Sequence, residues 1–486
     1  MDKYQHLIIS RLAVFIFHLL PVLFSLLLPA CGKNRNPGLS DKELFAQQST
    51  TDTLKQALAD FYPETYIVPQ GIKYEESRAV DPANPPVVID IANRNLNIKK
   101  FDLSDYYTRV RYIKLKHPMS AAEGNFLFGA YVEGQGMMNS NFNSQFIFTN
   151  DYIVAGDILF GLHCYDKEGN FLYTLESNDY PKVYNRENYR LSYNGDDFKG
   201  FTGIISTVNN YCLYQVKEDN RNMLCLYDLS QKKRIITRPY EGRSAYLLDN
   251  NSMASYVYRP LDSLQNFLFT FDIKGDTLCR FQSYLPVPVI TRSYYLSPPS
   301  SFIYYYNNQL TVRHPLNDTI YRVTSPNRLT PAYVLNFGSY GVDLEKALTD
   351  EQPEKMRPSL WKETERFILF NYTQNRNTPN NMERGVVKIF YSYYDKKRRQ
   401  LYHITDGTTI LELGYFIGDP VPDALPFILT QAIPDKDQLN VCYSKKSLEF
   451  FFKNKAFASL SSEKQNKLKT LQNDLDDSEV LIMILE

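Results

Sequence analysis

Two aspartates in a proline-rich stretch near the C-terminus are the residues with the clearest potential for chemistry. Asp419 and Asp423 lie in the sequence Asp-Pro-Val-Pro-Asp-Ala-Leu-Pro, which ends at Pro426. Proline fixes φ, so these prolines stiffen the loop that carries the two carboxylates. A rigid acidic loop can hold a cation or the hydroxyl groups of a sugar, and this pair is the candidate binding site. A purely structural loop is the alternative.

A second set of carboxylates recurs along the chain, and turn geometry accounts for it. Each of these residues ends a β-rich run and precedes a turn, where an Asp side chain bonds backbone amides about two residues further on. We therefore assign them to turns and not to catalysis. The set comprises Asp166, Asp228, Asp272 and Asp395.

The histidines and the sequence motifs predict no catalytic residue. His163 and His403 fall within strand-like runs, where a packed or hydrogen-bonded imidazole is expected, and no two histidines have metal-ligand spacing. The sequence contains no HExxH, P-loop or GxSxG motif and no GxGxxG in a dinucleotide-binding context. We therefore predict no metal and no cofactor.

The cysteines that follow residue 31 contain no CxxC pair, which argues against a zinc knuckle or a redox dithiol. Cys212 and Cys225 are the nearest pair in sequence and could form a disulfide in an exported protein. The alternative is that both are small buried residues. The full set comprises Cys164, Cys212, Cys225, Cys279 and Cys442.

Residues 1–30 have the pattern of an export signal: a charged start, an apolar run from Leu12 to Leu28, and small residues at the end. A permanent anchor helix is the alternative. The sequence Leu-Pro-Ala-Cys that ends at Cys31 resembles the lipobox of bacterial lipoproteins. That resemblance implies that Cys31 carries a lipid and becomes the mature N-terminus, so that acyl chains hold the protein at a membrane.

The composition excludes some classes of function and favours a sheet protein. The 54 Lys and Arg residues balance the 54 Asp and Glu residues, so the net charge is zero. Nucleic-acid binding needs a basic surface, and a polybasic membrane protein needs a basic cluster, so neither is expected. The chain has 38 Tyr and 30 Phe residues, and such aromatic residues favour strands.

A repeated unit beginning near Val87 predicts the fold. Four β-rich runs are each interrupted by two turn residues, the first of them always Asn, which tolerates the positive φ of a type I′ hairpin turn. A second hairpin follows each first one, so each unit is a four-stranded antiparallel sheet. Repetition every ~57 residues predicts a β-propeller with about six blades. The turn pairs are Asn150-Asp151, Asn209-Asn210, Asn250-Asn251 and Asn307-Asn308.

The remaining segments complete an all-β organisation with short terminal helices. Residues 31–86 are predicted to be a tether, a short helix and an extended linker, and residues 87–486 the propeller. A helical insertion is predicted near 342–365, with Trp361 inside it. After Ser461 a polar helix precedes the apolar run Val480 to Leu485. We predict that this final run is a strand that completes a blade begun near the N-terminal side and closes the ring.

These segments together resemble the six-bladed β-propeller lipoproteins of Bacteroides-type bacteria, most of which have no known function. The similarity is strongest from Asn317 to Gly338 and extends to the Tyr165-Asp-Lys-Glu-Gly-Asn-Phe turn and to the final run after Asp477. It implies a six-bladed fold on a lipid anchor and says little about activity.

The function predicted from these observations is a non-catalytic binding or scaffold module of the cell envelope. Its partners would be a membrane, through the lipid on Cys31, and an unknown envelope protein or glycan, with no nucleic acid. The alternative is a propeller enzyme, a lyase or hydrolase acting on glycans, because catalytic groups can assemble from distant blades. In the Bacteroides-type lipoproteins that this sequence resembles, an acidic run after the lipid-bearing cysteine often accompanies export to the cell surface. No such run follows Cys31, so the resemblance implies the periplasmic side of the outer membrane.

Overall fold

A computed structural model gives the fold, and every residue it describes lies in the compact unit Pro69–Glu486. The other unit, Met1–Val68, lies outside the described residues, as do the predicted signal, Cys31 and the short helix. The described residues are 73–92, 101, 103–116, 131–132, 136–137, 146–157, 161–177, 184–185, 190–191, 200–219, 221–239, 245–256, 266–282, 303–313, 318–341, 354–374, 388–404, 408–409, 424–425, 433–445, 448, 452, 461–476 and 479–486.

Strands dominate these residues, and we number them in chain order. The N-terminal part contains β1 (Ser77–Arg78), β2 (Val87–Asp90), β3 (Val110–Lys116) and the hairpin of β4 (Tyr131–Val132) and β5 (Gly136–Met137). Blade 1 contains β6 (Phe146–Phe148), β7 (Tyr152–Asp157), β8 (Gly161–Asp166) and β9 (Phe171–Ser177). A separate hairpin consists of β10 (Tyr184–Asn185) and β11 (Arg190–Leu191).

Each of the next three blades consists of four strands that are consecutive in the chain. Blade 2 contains β12 (Gly200–Val208), β13 (Tyr211–Glu218), β14 (Arg221–Asp228) and β15 (Lys233–Pro239). Blade 3 contains β16 (Tyr246–Leu247), β17 (Ser252–Tyr256), β18 (Asn266–Asp272) and β19 (Thr277–Gln282). Blade 4 contains β20 (Ile303–Tyr306), β21 (Gln309–Arg313), β22 (Thr319–Ser325) and β23 (Arg328–Asn336).

The last two blades complete the set. Blade 5 contains β24 (Arg357–Glu363), β25 (Phe367–Gln374), β26 (Lys388–Asp395) and β27 (Gln400–His403), and β28 (Thr408–Thr409) also pairs with β26. Blade 6 contains β29 (Ile433–Asp435), β30 (Gln438–Ser444), β31 (Glu479–Leu485) and β3. Helix α1 (Ser462–Asn473) precedes β31, and short 3-10 turns span Leu103–Asp105 and Gly338–Tyr340.

These six four-stranded antiparallel sheets form a ring, as the sequence predicts for a six-bladed β-propeller. The first strands of neighbouring blades contact each other around the axis, β6 with β12 and β20 with β24 among them. Buried apolar and aromatic side chains fill the spaces between blades. Between blades 6 and 1, for example, Ile482 and Ile113 pack with Phe146 and Ile153.

The C-terminal strand closes the ring, and the prediction of closure is confirmed. Strand β31 lies between β30 and β3, so residues from both ends of the domain share one sheet. Met483 pairs with Val441 on one side and with Tyr112 on the other. The apolar run Val480 to Leu485 is buried throughout, because β31 is an interior strand of its blade.

A segment that we call the N-terminal belt, whose described residues are 73–92, 101 and 103–107, contacts four blades. The Tyr74 amide donates to Leu278 O of blade 3 at 2.8 Å, and β1 and β2 then add in parallel to β23 of blade 4. Ile89 is buried in the cluster that blade 4 shares with blade 5. Phe101 is buried among side chains of blades 5 and 6. The sequence predicts a plain linker up to residue 86, whereas its described part from 73 onward is bound to the propeller.

The prediction of a helical insertion near 342–365 is wrong for the described part of that range. Residues Arg357–Glu363, including Trp361, form β24, which pairs antiparallel with β25. Pairing with the buried strand β25 outweighs the preference of these residues for a helix. Residues 342–353 lie outside the described residues. The helix after Ser461 is confirmed as α1.

The paired asparagine turns are hairpins, but their backbone is more varied than predicted. Only Asn307 and Asn308 both have positive φ, at 48° and 58°, as a type I′ turn requires. In the blade 2 turn Asn209 alone has positive φ, at 53°. The blade 1 and blade 3 turns have no residue with positive φ, since they span three and four residues instead of two.

Candidate functional site

The two ends of the ring differ in the length of their connections. In an antiparallel meander, the first and third turns of every blade lie at one end of the sheet and the remaining connections lie at the other. Within blades, those first and third turns contain two to four residues. We call this end the short-turn end and the opposite one the long-connection end. Every connection longer than four residues between successive strands of the ring lies at the long-connection end.

The repeated aspartates build the short-turn end, and their predicted role in turns is confirmed. Asp166 Oδ1 accepts from the backbone amides of Glu168 and Asn170 at 2.9 and 2.8 Å. Asp272 Oδ1 accepts from three successive amides, those of residues 274–276, at 2.8–2.9 Å. Asp228 and Asp395 accept from turn amides in the same way. These carboxylates satisfy amides that strand pairing leaves free, so they are structural groups.

Asp395 illustrates the electrostatics of these turns. Burial raises its pKa, but the Arg398 amide and the Tyr106 hydroxyl, which donates to Oδ2 at 3.0 Å, outweigh burial and hold the pKa below its ordinary value. The Arg398 guanidinium also donates to Oδ2, at 2.7 Å. The carboxylate therefore stays ionised and joins the N-terminal belt to blade 5.

Hydrogen bonds between first turns tie the short-turn end together across blades. Asn210 Nδ2 in blade 2 donates to Asp151 Oδ2 in blade 1 at 2.6 Å. The Asn209 amide donates to Asn308 Oδ1 in blade 4 at 3.3 Å, although blades 2 and 4 are not neighbours in the ring. The Glu365 amide in blade 5 donates to Lys436 O in blade 6 at 3.2 Å. The Asn residues of the repeat thus hold blades together at the axis.

The candidate binding residues Asp419 and Asp423 lie outside the described residues. The segment that contains them joins β28 to β29. Its described part, Ala424 and Leu425, is buried, and the Leu425 amide donates to Met483 Sδ of the closing strand at 3.1 Å. The backbone that follows Asp423 is therefore held against blade 6.

The strongest cluster of charged side chains in the described structure lies between blades 4 and 5, around Glu363 at the end of β24. Arg322 Nη2 donates to both carboxylate oxygens, at 2.6 and 2.7 Å. Lys396 Nζ donates to Oε1 at 2.7 Å. The hydroxyls of Tyr304 and Tyr333 donate to Oε2 and Oε1 at 2.8 and 2.6 Å. The two carboxylate oxygens thus accept five hydrogen bonds, so none of their acceptor capacity is open for general-base chemistry.

Electrostatics in this cluster favour the ionised carboxylate. Burial raises the pKa of Glu363, but Arg322 and Lys396 outweigh burial and hold the pKa below its ordinary value. Burial outweighs the attraction of Glu363 at Lys396, whose pKa stays below its usual range. Arg322 is therefore the principal counter-ion, and its guanidinium also lies 4.6 Å from the Tyr306 ring centroid. The cluster locks two blades together.

No local signal in the sequence marks this contact between blades 4 and 5. Glu363 and Arg322 are 41 residues apart and belong to different blades, so no local motif joins them. Neighbouring tyrosines of β20 take part in the same packing. Tyr304 bonds Glu363, and the Tyr305 hydroxyl donates to Leu247 O at 2.9 Å. Both side chains therefore pack between blades.

The described histidines are packed within blades, as predicted. His403 is buried in blade 5, where its Nδ1 lies 2.9 Å from the Tyr372 hydroxyl and 3.1 Å from Ser392 Oγ. Serine beside histidine is the pairing that nucleophilic catalysis uses, but Ser392 and Tyr372 are completely buried. His163 Nδ1 lies 3.2 Å from Thr174 Oγ1 in blade 1. The imidazoles join neighbouring strands.

The described cysteines are buried free thiols, so Cys212 and Cys225 do not form a disulfide here. Burial raises the pKa of the Cys164 thiol to about 11 and that of the Cys225 thiol above its ordinary value. Such thiols are poor nucleophiles. Within the described ranges, no group of three or more His, Cys, Asp or Glu side chains is arranged to hold a metal ion. No helix among these residues is long and apolar enough to cross a membrane.

Comparison with known proteins identifies the family. Residues 69–454 match the domain of unknown function DUF4933, and this match begins where the compact unit begins. The chain belongs to the DUF4933 family. A comparison with curated proteins finds no match for this DUF4933 protein.

Solved structures similar to the DUF4933 protein share little sequence with it. A putative exported protein from Bacteroides fragilis has 12% identity and a TM-score of 0.48, covering 82% of this chain and 99% of its own. BamB from Moraxella catarrhalis has 10% identity and a TM-score of 0.27, covering 54% and 76%. An extracellular domain from B. thetaiotaomicron has 14% identity and a TM-score of 0.24, covering 54% and 32%.

Proposed function

We propose that this protein is an exported, lipid-anchored β-propeller of the cell envelope that binds a partner without transforming it. The partner is an envelope protein or a glycan, and it binds at the long-connection end. Cys31 carries the lipid, which holds the propeller at the outer membrane on its periplasmic side. Asp419 and Asp423 belong to one of the long connections and contribute polar contacts to the partner.

The observation that supports this proposal is that the two ends of the ring differ in their connections: one end has only short turns, and the other has every long connection. The short-turn end uses its repeated aspartates and asparagines to cap turns and to join blades. The long-connection end receives every connection of more than four residues between ring strands, and loops that join the strands of a rigid scaffold are where binding residues concentrate. The buried Glu363 and His403 are occupied by contacts within and between blades, which favours binding over catalysis.

A binding panel tests the proposal and distinguishes it from an enzyme. The purified full-length protein is incubated with envelope polysaccharides and peptides, and both retention and product formation are measured. We expect retention without turnover, and the double variant Asp419→Asn, Asp423→Asn weakens retention at least tenfold with an unchanged melting temperature. The control is Glu168→Gln, which removes an exposed carboxylate at the short-turn end. Turnover that one carboxylate or histidine substitution abolishes would overturn the binding function.

A further inference from the structure

The first strands of the six blades surround the axis, and few of their residues are charged. Charged residues occur only in β24, with Arg357, Lys362 and Glu363, and in β29, with Asp435. Glu363 is neutralised by Arg322 and Lys396, and Asp435 forms an ion pair with Lys167 at 3.2 Å. The other residues of these strands are aromatic, aliphatic, small or hydroxyl-bearing, together with one proline in each of β24 and β29.

Unlike Glu363 and Asp435, Lys362 forms no ion pair or hydrogen bond with any described residue. It lies opposite Leu369 in the β24–β25 ladder, so its side chain leaves the sheet on the face where Leu369 packs against blade 6. Glu363 leaves on the other face, towards blade 4. Lys362 is half-buried, and burial alone lowers its pKa to about 8.

The unpaired ammonium group of Lys362 is unusual at a half-buried position. Buried charges are normally paired, because removing an ion from water is costly. The outer part of the interface between blades 5 and 6 is filled by apolar side chains, including Leu439, Val441 and Tyr443. Lys362 lies in β24, the first strand of blade 5, and is therefore among the residues closest to the axis of the ring.

We propose that Lys362 binds an anionic group of the ligand, a carboxylate, phosphate or sulfate, beside the axis of the ring. This inference rests on the proposed binding function and gives its ligand a charge. Lys362 is the next-to-last residue of β24, so the anionic group reaches along this strand from the long-connection end towards the short turns.

A site-resolved labelling experiment tests the inference. The full-length protein is acetylated with limiting acetic anhydride from pH 6 to 10, and mass spectrometry measures the labelling of each lysine. The probes are inorganic phosphate, sulfate and galacturonate, with galactose as the neutral control. An anion at Lys362 raises its pKa by about one unit, which at pH 8 cuts its labelling about fivefold. Lys397, an exposed lysine in a turn of the same blade, is labelled equally with and without the anions.

The comparison of probes identifies the source of the anion. Protection by galacturonate at lower concentration than phosphate indicates an acidic glycan, and the reverse order indicates a phosphorylated ligand. A second measurement uses Lys362→Met, which abolishes the thermal stabilisation by the effective anion, whereas Lys397→Met retains it. Lys362 labelling that no anion changes at 10 mM, or that changes together with Lys397 labelling, would overturn the inference.

The test separates this inference from the proposed function. A neutral glycan or peptide that binds the wild type and Lys362→Met equally overturns the anionic site and leaves the binding function intact. An anion could instead protect Lys362 and also be consumed when product formation is measured. That result supports the anionic site and overturns the non-catalytic function.

Discussion

Removing the charge of Glu363 tests how the blades are held together. In Glu363→Gln, the Arg322 guanidinium stays buried without its counter-ion, while Tyr304 and Tyr333 keep an acceptor. Breaking a buried ion pair by removing one partner costs about 3–5 kcal/mol. That cost is a large fraction of the ~5–15 kcal/mol by which a domain is stable.

The matched control is an exposed ion pair. Glu168 bonds Arg111 at 3.2 Å, but its side chain is 72% exposed. Such a pair contributes at most about 1 kcal/mol, so Glu168→Gln leaves stability nearly unchanged. Both variants are unfolded in urea, and their free energies of unfolding are compared with that of the wild type. A loss for Glu363→Gln of under 1 kcal/mol, equal to that of Glu168→Gln, would refute the assignment of a lock between blades.

The dependence on pH has a definite sign. The pKa of Glu363 is lowered in the folded protein, so its contribution is fully present above its unfolded pKa of about 4.3. The contribution is lost as the pH falls through the lower, folded value. Glu363→Gln therefore loses less stability than the wild type when the pH is lowered from 6 to 3. Parallel acid profiles for the two proteins would contradict this assignment.

Three further outcomes are expected. Cys31→Ser yields a protein that no longer partitions into detergent, and unchanged partitioning would refute lipidation. Deleting Glu479–Glu486 removes six buried apolar side chains worth about 1.5–3 kcal/mol each, so the domain no longer melts cooperatively; a wild-type melting temperature would refute ring closure. Gly338→Ala lowers the free energy of unfolding in urea by about 1–3 kcal/mol, because φ at this residue is +53° and the new Cβ would lie 2.9 Å from Ala92 Cβ. Gly203→Ala meets no atom within 4 Å and is the control; equal losses would contradict this account.

Periodic features of the sequence predicted the ring because each depends on residues close together in the chain. Asp166 and Asp395 end strands and cap the turns directly after them, so a local pattern determines their role. The run Val480 to Leu485 is uninterruptedly apolar because it is buried on both faces as an interior strand. These two signals predicted the four-stranded units and their closure.

Features that depend on contacts between distant residues were not predictable from one sequence. The local sequence around Trp361 predicts a helix, whereas pairing with β25 makes this segment the first strand of blade 5. The belt residue Ile89 reads as part of an isolated strand until its parallel partner β23 is known. The pairing of Arg322 with Glu363 and the isolation of Lys362 likewise emerge only once the blades are assembled.

Photo-crosslinking in intact cells tests most directly whether the partner binds at the long-connection end. A photoreactive amino acid is placed at Val421, between the two candidate aspartates, or at Lys397 in a turn at the short-turn end. Illumination is followed by purification and mass spectrometry of the adducts. If the partner binds at that end, position 421 gives a discrete adduct and position 397 gives none. An adduct from position 397 alone would contradict binding at that end.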